Sequence, residues 1–197
     1  MNIVTLALLL ALTPAAWQSP QGSAPTTTAP NAQSTSPNTQ NAPLSQKGIE
    51  RIIKEVHHEL VMLPFYGVFD NLAYKVSPDG TVTLLGQVSR PTLKSDAENV
   101  VKRIEGVERV DNQIKVLPLS NYDDEIRLRA LRTIYGSSTL SKYALGANPP
   151  IHIIVDNGRV VLKGVVANTM DRQIAESLVR SNSLAFDVKN ELQVETD

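Results

Sequence analysis

Sliding the chain along itself by 78 residues aligns Gly80 to Val116 with Gly158 to Val194 without a gap, and 11 of the 37 paired positions are identical. The identities are Gly80/Gly158, Val82/Val160, Leu84/Leu162, Gly86/Gly164, Val88/Val166, Ala97/Ala175, Glu98/Glu176, Val101/Val179, Val110/Val188, Asn112/Asn190 and Val116/Val194. A fixed offset of this kind marks one supersecondary unit made twice. Any fold must therefore serve the same run of elements in both halves.

Within each copy the pattern is specific. Val82, Leu84, Gly86 and Val88 alternate with Thr81, Thr83 and Gln87, and Val160, Leu162, Gly164 and Val166 repeat that face, which predicts a half-buried strand. The turns Ser77-Pro78-Asp79-Gly80 and Asp156-Asn157-Gly158 precede it, after the runs 72–76 and 151–155, so a hairpin opens each unit. Asn-Gly favours a type I′ turn because both residues tolerate positive φ. Leu93, Ala97, Val100, Val101 and Ile104 then recur at helical spacing, as do Met170, Ile174, Ala175, Leu178 and Val179. Thr92 and Asn168 are candidate caps, with Pro91 at the first entry. Val110, Ile114 and Val116, matched by Val188, Leu192 and Val194, give a third strand that can run parallel to the second by a right-handed crossover. A leading helix precedes each hairpin, with stripes Ile49, Ile52, Ile53, Val56, Leu60, Leu63 and Ile126, Ala130, Leu131, Ile134, Tyr135. The expected fold class is α+β: two αββαβ modules, each a small three-stranded mixed sheet covered by two helices. Gly86 and Gly164 stand inside strands, where glycine costs stability, so close approach of a helix backbone or a bulge is expected there.

All 19 Lys and Arg and all 20 Asp and Glu lie from Lys47 onward. Before them, Ile3 to Leu12 is a ten-residue apolar run of signal-peptide length, with small residues Thr13 and Ala15 placed for cleavage after Ala15 and no Lys or Arg ahead of it. Residues 17–46 are, apart from Trp17 and Leu44, only Gln, Ser, Pro, Gly, Ala, Thr and Asn, too poor in apolar area to offset chain entropy. The expected organisation is a signal peptide at 1–16, a disordered tether at 17–46, and modules at 47–117 and 122–195. A net charge of −1 gives no footing for nucleic acid or a polybasic membrane anchor. Zero cysteines exclude disulfides, thiolate metal sites and lipobox acylation.

The run Gly80-Thr-Val-Thr-Leu-Leu-Gly-Gln-Val88, the helix after it, and Gly106-Val107 through Asn112-Gln113-Ile114 resemble the BON domain, as do Gly158 to Val166 and Val188-Lys-Asn-Glu-Leu192. The resemblance covers roughly residues 45–195. It implies a non-catalytic module of the periplasm or outer membrane, linked to envelope stress and to phospholipid surfaces. The second copy departs from the pattern by having Leu184-Ala185 where Gly-Val is usual.

Chemistry is sparse. His57 and His58 are adjacent and diverge by about 100° on a helix, His152 is a lone strand histidine, and no Gly-x-Ser-x-Gly, P-loop or calcium loop occurs. An enzyme would need the three histidines to converge. No cofactor, metal, small-molecule substrate or nucleic-acid partner is expected. Two loops could present an apolar contact surface or cap small cores: Phe65, Tyr66 and Phe69 in one, and Leu140, Tyr143 and Leu145 in the other. The expected function is an exported binding module contacting a phospholipid surface or an envelope protein.

Overall fold

The computed structural model describes residues 44–146 and 148–195. The expected signal peptide and residues 17–43 of the expected tether lie outside the described residues. The last three tether positions belong to the folded body instead. Leu44 packs on the first core and donates its amide to the Pro78 carbonyl (2.8 Å), Ser45 caps the first helix through the Gly48 amide (3.2 Å), and Gln46 begins that helix.

The first module runs α1 (Gln46–Val61), β1 (Asn71–Val76), β2 (Thr81–Val88), α2 (Pro91–Val101), β3 (Arg109–Asn112) and β4 (Lys115–Val116). The second runs α3 (Asn121–Tyr135), β5 (Ile151–Asp156), β6 (Arg159–Val166), α4 (Thr169–Asn182) and β7 (Asp187–Val194), with a short 3₁₀ turn at Ser141–Ala144. β2 lies between β1 and the β3–β4 pair, antiparallel to the one and parallel to the other, and β6 stands likewise between β5 and β7. Registers repeat with the sequence offset: Val82 faces Val110 and Val160 faces Val188, while Leu84 faces Asn112 and Leu162 faces Asn190. The hairpin turns differ by one residue, and Asn157 (φ 53°) and Gly158 (φ 76°) both hold the positive φ of a type I′ turn.

Each sheet buries one face against its two helices. Ile52, Val56, Val82, Leu84, Leu93, Ala97 and Val101 are fully buried in the first core, and Ile126, Ala130, Ile153, Leu162, Ala175 and Val179 in the second. Two expected details fail. Thr92 is not a cap, because Arg90 holds that position without a side-chain bond and Pro91 starts the helix; Asn168 does cap, through the Asp171 amide. Met170, expected on the apolar stripe, is exposed instead, and the buried residue of that first turn is Asp171.

Two further pairs of identities have a structural account. Gly86 and Gly164 adopt φ of +118° and +117°, and a Cβ there would stand 2.0 Å from the Asn71 carbonyl oxygen and 1.8 Å from that of Pro150. The backbone that crowds them is that of the neighbouring strand's entry, not of a helix. Asn112 donates its side-chain amide to the Lys94 carbonyl and the Glu98 carboxylate, and its oxygen accepts from the Ile114 amide; Asn190 does the same with Arg172, Glu176 and Leu192. One side chain thus ties the last strand to the covering helix. The Glu98 and Glu176 carboxyls lie below the usual range, first because of Lys102 and Arg180 and next because of these asparagines.

Candidate functional site

The six residues of the expected contact surface scatter between inside and outside. Leu140 is fully buried in the second core and presents nothing outward. Tyr143 donates its hydroxyl to Asp171 (2.6 Å) and accepts from the Ala167 amide (2.7 Å), and Lys142 pairs with the same carboxylate (2.7 Å). Asp171 takes the place that Leu93 fills in the first module, so this longer loop brings polar partners to a buried acid. Burial works against the Asp171 charge, yet Lys142, Tyr143 and Asn168 outweigh it and hold the carboxyl below its ordinary range. Tyr66 is half-buried on the first core, and burial pushes its hydroxyl up to about 12. Phe69 packs against the second core, across the module boundary. Phe65 and Leu145 alone among the six are exposed. The other four go to covering small cores, which a module of about 70 residues needs.

A different apolar surface stands at one end of the second module. In the first module Gly106 (φ +89°) leads through Val107 to Glu108. The corresponding Leu184 keeps the left-handed turn at φ +65°, and Phe186 replaces the glutamate. Phe186 is 77% exposed and Leu184 53%. The Phe186 ring lies over the Gly158 turn and 5.5 Å from the Tyr122 ring, and the Tyr122 hydroxyl donates to the Leu184 carbonyl (2.7 Å). Beneath them the buried Asp123 accepts from the Asn157 (3.0 Å) and Gly158 (2.7 Å) amides and pins the turn to α3. A leucine in left-handed backbone costs about 1–2 kcal/mol. Strain of this kind collects at functional surfaces.

His57 and His58 are exposed on α1. His152 is half-buried, and burial holds its imidazole below the ordinary value against the opposing pull of the Gly67 and Asp70 carbonyls and the Asp70 charge. His57 and His152 border the same groove between the modules, about 620 Å³ in volume. Among the described residues no group of three His, Asp or Glu gathers in a way that could hold a metal ion.

Repeat, registers and the Asn ties describe one unit present twice, and the family model for the BON domain matches twice, over residues 62–118 and 138–196. The chain belongs to the BON domain family. It is a tandem BON protein, and each match starts just after a leading helix, at the loop following α1 or α3. No curated protein matches the chain. Among solved structures it is similar to CdsD, a structural protein of the type III secretion system of Chlamydia trachomatis, at 13% identity and a TM-score of 0.27, over 74% of this chain and 92% of that one. A second structure, of the CdsD C-terminal domain, gives 14% identity and a TM-score of 0.27 over 74% and 98%. BON domain proteins are typically periplasmic or envelope-associated, and their domains are non-catalytic binding modules. No described helix is long and apolar enough to cross a membrane.

Proposed function

We propose that this tandem BON protein is an exported binding module that contacts phospholipid surfaces through the apolar end of its second module. The observation that carries this reading is the cluster Tyr122, Leu184 and Phe186, exposed and held by a strained turn that the first module builds from glycine. Leu119, 95% exposed, lies three residues before Tyr122 in the chain. Burying one Leu or Phe side chain contributes roughly 1.5–3 kcal/mol, so a few of them support reversible attachment. With a net charge of −1, attraction to anionic headgroups is weak and binding depends little on salt.

Co-sedimentation with neutral and anionic vesicles tests this. Phe186→Ser is expected to weaken partitioning roughly tenfold to a hundredfold, the equivalent of about 1.5–3 kcal/mol. Phe65→Ser, exposed but far along the chain from this cluster, serves as the control; Phe69→Ser does not, because that ring supports the second core. Leu184→Gly separates binding from folding. It is expected to leave thermal stability equal or raised by up to about 1 kcal/mol, as relief of strain exceeds the entropy cost of glycine, while vesicle binding falls. If the wild-type chain binds neither kind of vesicle, lipid contact is wrong and an envelope protein becomes the partner to seek.

A further inference from the structure

The loop 64–70 belongs in sequence to the first module and in space to both. Asp70 anchors it at home, accepting from the Ser89 amide (2.6 Å), the Ser89 hydroxyl (2.8 Å) and the Gly67 amide (3.2 Å). Two residues earlier the Val68 carbonyl accepts from the Ile153 amide of β5 (2.7 Å), and Phe69 packs into the second core. Asn148 returns the contact by donating to the Val61 carbonyl (3.1 Å), and Lys115 pairs with Asp156. His152 of β5 sits against the loop, its ring 5.7 Å from that of Tyr66 and its Nδ1 buried without a hydrogen-bond partner.

We propose that loop 64–70 is a latch joining the two modules and that protonation of His152 opens it. A proton on His152 would place a cation where little can answer it. The acid whose charge acts on it, Asp70, already accepts three hydrogen bonds. Lys163, directly across the ladder from His152, is a like charge, and its partner Glu191 is shared with Lys189. From the first module, α1 and β1 turn His57 and Lys75 toward the same groove, again cationic or able to become so, and Tyr66 and Tyr74 remain neutral. The Gly67 and Asp70 carbonyls favour the proton, but burial outweighs them.

An imidazole that resists protonation when latched contributes its full share above the ordinary value of about 6.5, and that share is lost as pH falls below it. The open fraction then rises by up to tenfold for each pH unit, until the latched form titrates as well.

The test is nuclear magnetic resonance on the full chain between pH 8 and pH 5. The exchange protection of the Ile153 amide, corrected for intrinsic rate, is expected to fall several-fold, by up to about eightfold, between pH 7 and pH 5.5, while the core amide of Leu162 keeps its protection. His152→Phe, which leaves a ring against Tyr66, is expected to remove the pH dependence. Ile153 protection that stays flat, falls together with Leu162, or keeps its pH dependence in the variant overturns the proposal. Should the variant fail to fold, the imidazole resonances of wild-type His152 decide: a midpoint below 6.5 supports the latch, and one at or above 6.5 overturns it.

Discussion

Gly164→Val is expected to unfold the second module. The position has φ +117°, and a Cβ would meet the Pro150 carbonyl oxygen at 1.8 Å and its carbon at 3.0 Å. Neither partner can retreat cheaply, because that oxygen also accepts from the Val165 amide (3.3 Å) and the Ile151–Gly164 register fixes the strand. A β-branched residue at positive φ adds strain of its own. Together these exceed about 4 kcal/mol, the range reserved for the most damaging substitutions, against a typical total stability of 5–15 kcal/mol. Gly86→Val is expected to do the same to the first module, where the Asn71 carbonyl oxygen would lie at 2.0 Å. A thermal melt of either variant that overlays the wild-type curve would show that the strands do not run as described.

The second large effect crosses the module boundary. Phe69→Ala is expected to destabilise the second module by about 3 kcal/mol, within the usual range for truncating a packed phenylalanine, although Phe69 lies before β1. Its ring packs against the cluster built from α3, β5, β6, α4 and β7. Urea titrations read at core amides of each module check this. The second module's midpoint should fall by more than the first module's, and a loss confined to the first would mean that the ring merely closes its own core.

Most of the repeated framework is legible in the residues. Alternation at Val82, Leu84 and Val88, the Asn157-Gly158 turn and the helical spacing around Ala97 and Ala175 are local signals, and each has the partner that its period implies. The identity of Asn112 with Asn190 and of Glu98 with Glu176 marks importance, but the tie between them spans 14 residues and needs the packed helix to be seen. The contact surface is less legible. Apolar side chains in 65–69 and in 140–145 mark two loops but not the direction of each ring or chain: Tyr66, Phe69, Leu140 and Tyr143 go to the cores while Phe65 and Leu145 stay outside, because a hydrophobic side chain in a loop looks the same in sequence whether it faces in or out. The signal for the exposed end is the departure from the repeat itself: Leu184 where Gly106 stands, and Phe186 where Glu108 stands. Its partner Tyr122 lies 62 residues before Leu184, and the buried Asp123 lies 35 before Gly158, so only the fold brings them together. His152 reads as a lone packed histidine, and its place beside Tyr66 depends on how two modules meet.

The seat of Phe69 in the second core also sets an order on synthesis. The chain leaves the ribosome amino end first, at roughly 5–20 residues per second, so the first module emerges on the order of ten seconds before β7 can complete the site that receives the ring. Through that interval a nascent aromatic side chain waits uncovered. A cut in the Leu117–Asn121 connection would make the wait permanent, which is why neither half is a clean candidate for excision and transplantation into another protein.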